Sequence, residues 1–266
     1  MSSERRDSAP GAATAPGRDT PRSTVEFKTT DRRGRETNAN GCRVQSWSFQ
    51  PHIAHLVVNH QQPVPSLADV QHWTDRVREL GYSAIRTNAL SRGTSHQMEC
   101  AGYTILQELV LLELHSPRSA LNALSASPTE CATQHVDTEQ IPEVSAIDVD
   151  AFGTGWGLSE TAIADVCAAT PRHRLRGAGE PLAAFAISGR DGRQGFLQRL
   201  SVSPARQRQG LGRALVLDSM EWMVRWRVQR VLVNTALDNH AALALYQGLG
   251  FRRIGERLRV YERTLA

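Results

Sequence analysis

The sequence predicts an α/β fold, a mixed central sheet flanked by helices, preceded by a smaller α/β unit. Three observations predict it. Strand-like and helix-like segments alternate from about residue 43 onward, glycines and prolines punctuate them, and the 40% hydrophobic content of the 266 residues is enough for a sizeable core. Composition narrows the function classes. The formal net charge of +4 is mild, Lys28 is the only lysine, and no dense basic block carries interleaved aromatics, which ranks a nucleic-acid module low. Cys42, Cys100, Cys131 and Cys167 are far apart and form no CxxC pair, so neither a zinc site nor a disulfide framework is signalled, and buried free thiols are expected. No apolar run approaches a membrane span, and a soluble, cytoplasmic protein is expected.

Residues 1–42 combine Pro, Gly, Ser, Thr and charges with few large apolar side chains and are expected to be a disordered tail. A first folded unit, 43–118, follows. In it "RVQSWSF" reads as a strand, "LADVQHWTDRVREL" as an amphipathic helix stopped by Gly81, and "YSAIRTNAL" and "YTILQELVLLELH" as strands. Residues 119–140 are rich in small and polar residues and read as a linker. The second unit, 141–266, opens with a helix, "SETAIADVCAA", for which Ser159 is the N-cap. Strands "HRLRG", "PLAAFAISG" and "FLQRLSV" come next. A helix then runs from Gly210 to Trp226, with Leu211, Leu215, Trp222 and Trp226 on one core-facing side. Strand "RVLVNTA", helix "HAALALYQGLG" and a final strand "FRRIGERLRVYERTL" complete the unit. The stretches "RTNALSRGTSHQMECAGYTILQELVLLEL" and "VNTALDNHAALALYQGLGFRRIGERLRVY" share an order of elements, which suggests two distant copies. Nothing in the first matches "ARQRQGLG".

That stretch carries the chemistry. A glycine-containing turn directly before a helix frees backbone N–H groups, and the helix dipole adds to them, so an anion is favoured there. Gly210 and Gly212 let the main chain come close to a phosphate, and Arg206, Arg208 and Arg213 add charge. Neither the GK[ST] of a P-loop nor a GxGxxG with a downstream acid is present.

The motif Gln207-Arg208-Gln209-Gly210-Leu211-Gly212 after "LSVSP", followed by Asn239 and "ALALYQGLGF", resembles the GCN5-related N-acetyltransferase (GNAT) superfamily. The resemblance covers 141–266. Residues 43–115 look like a degenerate second copy, an arrangement similar to mycothiol synthase. It implies acetyl-CoA as acyl donor, no metal, and an amine acceptor, either a small molecule or a protein amine. Backbone amides from Gln207 through Leu211 to Arg213 would hold the pyrophosphate. The main chain of Leu200 and Val202, on a strand splayed from its neighbour, would hold the pantetheine arm and polarise the carbonyl. Asn234 and Asn239 would lie beside the pantetheine, and Tyr246 would protonate the departing thiolate. Phe152 and Trp156 lie where the family places its acceptor-lining segment.

Plainer roles stand beside these. Tyr246 is also a helix-packing aromatic, Asn234 a strand-edge group, Asn239 a helix cap, and Phe152 and Trp156 core residues. "FLQRLSV" carries no carboxylate where several relatives hold a general base. Asp150, Glu160 and His240 are substitutes by position, alongside a base relayed by water. The implied activity is N-acetyl transfer by direct attack. The rival is a non-catalytic acyl-CoA sensor or scaffold. Tandem copies can mimic a dimer within one chain, so a monomer is expected.

Overall fold

The computed structural model describes residues 24–30, 36–59, 63–124 and 131–265. Its strands are β1 (Val25–Thr30), β2 (Glu36–Trp47), β3 (Gln50–Val58), β4 (Ala84–Thr87), β5 (Thr104–His115), β6 (Thr133–His135), β7 (Arg172–Ala178), β8 (Ala184–Asp191), β9 (Gln194–Val202), β10 (Arg230–Ala236) and β11 (Arg252–Thr264). Its helices are α1 (Leu67–Glu79), α2 (Arg92–Cys100), α3 (Pro117–Leu124), α4 (Ile141–Phe152), α5 (Glu160–Ala168), α6 (Leu211–Arg225) and α7 (His240–Gly248). All eleven strands join one mixed sheet in the order β1-β2-β3-β4-β11-β5-β10-β9-β8-β7-β6.

The order shows an exchange between the two copies. Each copy ends in a strand–helix–strand module, β4-α2-β5 in the first and β10-α7-β11 in the second, and the last strand of each pairs with the other copy. Strand β5 runs antiparallel to β10 from His115↔Arg230 to Leu109↔Ala236, while β11 pairs with β4 at Glu262↔Arg86. The exchanged strands also pair with each other, antiparallel, at the centre of the sheet. Boundaries drawn at 118 and 141 therefore do not separate two sheets.

One face of the sheet is covered by α1 and α2 at one end and by α3, α6 and α7 at the other. Under α1 and α2, Leu56, Trp73, Val77, Ile85, Met98 and Tyr261 form a core cluster. Under α3, α6 and α7, Val110, Leu112, Val216, Met220, Val231, Leu243, Tyr246 and Phe251 form another. The opposite face carries α4 and α5, whose Val144, Ile147 and Ile163 pack on Phe185 and Ile187 of β8.

Several expectations need correction. Strand β1 and the first part of β2 lie within the segment read as a disordered tail, because Phe27 and Cys42 supply buried side chains to the first core; residues 1–23 and 31–35 of that tail lie outside the described residues. The linker contains most of α3, whose Ala120, Leu121 and Leu124 pack against the second core, and the edge strand β6; residues 125–130 lie outside the described residues. Helix α4, begun by Pro142 in its first turn, had no counterpart in the reading from sequence, nor did β3, which forms a hairpin with β2. Trp226 is 54% exposed rather than core, since α6 ends beside it, and it stacks on Arg190 at 4.3 Å. Of the four thiols only Cys42 is buried, and Cys100 is exposed.

Candidate active site

Strands β9 and β10 pair in parallel from Gln194↔Arg230 to Leu197↔Val233, and the pairing stops there although β9 continues to Val202 and β10 to Ala236. Both strands keep their outer partners, β8 and β5, so the two edges diverge and leave peptide groups of β9 facing a wedge. Leu200 and Val202 lie on one side of that wedge and Asn234, which is exposed, on the other.

The loop after β9 closes the wide end. Pro204–Arg206 make one 3-10 turn, Arg208 adopts φ +64°, and Gly210 serves as N-cap of α6 at φ +83°. The left-handed turns bend the backbone so that successive N–H groups converge. Among the described residues, the N–H groups of Gln209, Gly210, Leu211 and Gly212 have no backbone acceptor, as expected of a first helical turn. No acidic residue lies in that turn. A Cβ at Gly212 would sit 3.5 Å from Leu245, 3.6 Å from Val202 and 3.9 Å from Leu200. The start of α6 therefore rests on both β9 and α7, at the mouth of the wedge. The loop side chains partly tie down the loop itself: Arg206 Nε donates to Gln209 Oε1 at 2.9 Å, and Gln207 Nε2 donates to the Val202 carbonyl at 3.3 Å.

Tyr246 on α7 is 4% exposed, with its ring 5.7 Å from that of Phe251. Burial drives its hydroxyl pKa well above the usual phenol value, and the charge of Arg199 on β9 acts in the opposite direction. Asn239 caps α7, its Oδ1 accepting from the Ala242 N–H at 3.0 Å, which commits the side-chain oxygen and leaves the amide donors.

On the α4 and α5 face, Arg199 is joined to Asp148 of α4, a fully buried carboxylate. Arg199 Nη2 also donates to the Trp156 carbonyl at 2.9 Å, and its guanidinium stacks on Phe152 at 3.9 Å. The second Asp148 oxygen accepts from the Leu158 N–H at 2.8 Å, which ties the 152–158 segment to the helix. Phe152 and Trp156 are thus brought together by an ion pair that sequence reading missed. The signals were a lone arginine in the strand "FLQRLSV" and an aspartate set between Ile147 and Val149 of α4. Of the three candidate bases, Asp150 accepts from Ser203 Oγ at 2.6 Å, next to the loop, while Glu160 and His240 are exposed at the starts of α5 and α7. The structure does not gather them around one point.

In the first copy the matching strands do not diverge in this way. Beyond the paired residues Leu56↔Thr87, the Asn88 side chain bridges the gap: its Oδ1 accepts from the Val58 N–H at 2.9 Å and its Nδ2 donates to the Val58 carbonyl at 3.3 Å.

Residues 172–251 match the model of the Acetyltransferase (GNAT) family. This chain carries a GNAT domain. The matched stretch runs from β7 to the end of α7 and includes the wedge and the loop. The chain is 40% identical over 65 residues to mouse N-acetyltransferase family 8 member 3, covering 24% of this chain and 29% of that protein. It is 36% identical over 83 residues to the Escherichia coli [ribosomal protein bS18]-alanine N-acetyltransferase, covering 31% of this chain and 56% of that protein. The chain thus spans between about a quarter and just over half the length of the curated relatives it matches. Among solved structures, a tandem GNAT protein from the clavulanic acid biosynthesis pathway superposes with TM-score 0.60 at 16% identity, covering 87% of this chain and 80% of that one. A GCN5-related N-acetyltransferase from Kribbella flavida does so with TM-score 0.56 at 15% identity, covering 87% and 90%. The GNAT fold thus extends over both copies. Among the described residues, no group of three His, Cys, Asp or Glu side chains is placed to hold a metal ion, and no helix is long and apolar enough to cross a membrane.

Proposed function

We propose that this chain transfers the acetyl group of acetyl-CoA to an amine by direct attack within a ternary complex. The observation that carries the reading is the wedge between β9 and β10, ended by the donor-rich start of α6. A pantetheine arm is a chain of amides, and an unpaired strand edge offers it donors and acceptors in register. A pyrophosphate suits the free N–H groups and positive dipole of α6. Acetyl-CoA bound there supplies an activated thioester.

The residues then divide the work. The main chain of Leu200 and Val202 orients the arm, and the Val202 N–H faces the charge that develops on the carbonyl oxygen. Tyr246, held protonated by burial, donates to the departing thiolate. Asn234 and the free amide donors of Asn239 flank the thioester end. Asp150, bonded to Ser203 beside the loop, accepts the amine proton through water. Holding donor and amine in one groove contributes much of the remaining acceleration.

The test pairs binding with turnover. Acetyl-CoA is expected to raise the thermal midpoint, Gly210→Asp to abolish that rise, and thiol release to depend on added amine. A rise without thiol release for any amine would favour the second reading, an acyl-CoA sensor. One observation supports that rival: the strand "FLQRLSV" offers no carboxylate, and its one charged side chain, Arg199, is already paired with Asp148.

A further inference from the structure

We infer that the acceptor is a small primary amine with an apolar, uncharged body, received in a channel built by both copies. This rests on the acetyl-transfer reading above and names its substrate class.

The channel follows from a geometric conflict. In the sheet order, β2 and β9 are separated by six strand spacings, about 29 Å along a flat sheet. The α4–α5 segment nonetheless touches both. On one side it holds β9 through Arg199–Asp148 and through Gln198 Nε2 donating to the Val166 carbonyl at 2.7 Å. On the other it meets the β2–β3 hairpin. There Gln45 Nε2 donates to Asp165 Oδ2 at 2.8 Å, Trp47 Nε1 donates to the Gly155 carbonyl at 2.9 Å, and the Ser159 N–H donates to Ser48 Oγ at 3.2 Å. The Trp47 and Trp156 rings meet edge-on at 5.6 Å. Asp165 and Val166 are neighbours on α5, yet one bonds Gln45 of β2 and the other Gln198 of β9, so the sheet curls toward the helices. The intervening strands β4, β11, β5 and β10 then form the floor of a space roofed where the two copies touch.

Pleat alternation gives the floor its chemistry. Arg86 lies over the Trp47 ring at 5.2 Å, which places it on the roofed face, and its cross-strand neighbour Glu262 shares that face. Along β11 the same face carries Val260 and Leu258. Leu258 pairs with Leu109, which pairs in turn with Ala236, and Leu111 pairs with Asn234. The floor is therefore mostly aliphatic, with Gln107 opposite Val260, and it leads to Asn234 at the wedge. Three carboxylates around it are held by arginine, Asp148 by Arg199, Asp165 by Arg43 and Glu262 by Arg86, while Asp150 is bonded to Ser203 beside the loop, where the reacting amine's own proton goes. A second ammonium group on the body of the acceptor finds no uncommitted partner among those three. A roofed space also excludes an amine standing on a folded protein surface.

The test uses the full chain with acetyl-CoA and three acceptors: phenethylamine, spermidine, and a ten-residue peptide with N-terminal alanine. Acetyl-CoA binding is followed separately by thermal shift. The expected result is a kcat/KM for phenethylamine at least roughly tenfold above the other two. Trp47→Ala is expected to narrow that gap by raising peptide turnover, while Trp47→Phe, which keeps the ring and loses the Gly155 bond, retains most of it. Should Trp47→Ala fail to fold, Trp156→Ala opens the same contact from the other side. Preference for spermidine or the peptide overturns this inference and leaves acetyl transfer standing. Binding of acetyl-CoA with no acceptor acetylated overturns both.

Discussion

Arg199 and Asp148 are joined by two hydrogen bonds, Nε to Oδ1 at 2.9 Å and Nη2 to Oδ2 at 2.6 Å, with the carboxylate fully buried. The pair links the strand that borders the wedge to the helix that carries the acceptor-side segment. Removing the carboxylate leaves a guanidinium without its partner in a site that excludes most water. Asp148→Ala is expected to destabilise the fold by about 3–5 kcal/mol in chemical denaturation. Asp148→Asn keeps a hydrogen-bond acceptor and should cost less, while loosening the 152–158 segment enough to raise KM for the acceptor. An unchanged denaturation midpoint in Asp148→Ala would show that the pair carries no such load.

Backbone geometry, rather than arginine charge, should dominate cofactor affinity. Gly210 sits at φ +83°, where any L side chain is strained, so Gly210→Ala is expected to cost about 1 kcal/mol of stability even without ligand. Gly212 is different: its surroundings leave room for a methyl group at ordinary contact distances, so Gly212→Ala should be nearly neutral in the free protein and show its cost only in acetyl-CoA binding. Arg206→Ala and Arg208→Ala are expected to weaken binding less than Gly210→Ala. Isothermal titration of the four variants checks the order, and the reverse order would return the weight to the arginines.

Tyr246→Phe preserves the packing against Phe251 and removes only the hydroxyl. Its thermal midpoint should stay close to that of the parent, with kcat lower by about 100-fold. Because burial raises the pKa of Tyr246, the proton-donating form persists through neutral and moderately alkaline pH. The pH–rate profile should therefore lack an alkaline limb from this group below about pH 10. Unaltered kcat in the phenylalanine variant would reduce Tyr246 to a packing residue.

One acetyl-CoA per chain is expected, because Asn88 satisfies both peptide groups of Val58 where a second arm would bind. Asn88→Ala should destabilise the first copy by about 1–3 kcal/mol by orphaning those groups. Titration calorimetry giving two sites in the parent chain would refute the sealed first copy.

Acid should weaken the fold through His55. Burial, and Arg43 next, lower its pKa to about 4 from an ordinary 6.5, so the folded state holds the imidazole neutral. Above pH 6.5 both folded and unfolded chains carry it neutral. As pH falls toward 4 the unfolded chain takes up the proton first, and stability declines by at most about 3 kcal/mol across that window. Thermal midpoints measured from pH 7 to 4 should show the decline, and His55→Gln should flatten it.

Much of the domain was legible in the sequence because its determinants are local. The extent of β10 follows from "RVLVNTA", the caps from Ser159 and Asn239, and the anion-binding turn from glycines whose freedom is a property of the residue itself. Even Trp226, misplaced in the core, failed for a local reason: helical periodicity continued one step beyond the last turn of α6.

What only the tertiary structure decided depends on contacts between residues far apart in the chain. Sequence alone determined an α/β chain with a phosphate-cradling turn and two related modules. It could not show that β5 and β11 trade places, since each strand is equally apolar beside either partner. Nor could it show that Asp148 and Arg199, 51 positions apart, neutralise each other, that Asn88 fills the gap its counterpart leaves open, or that Trp47 meets Trp156. Those pairings arise from the curl of one continuous sheet, and a one-dimensional pattern carries no record of curvature.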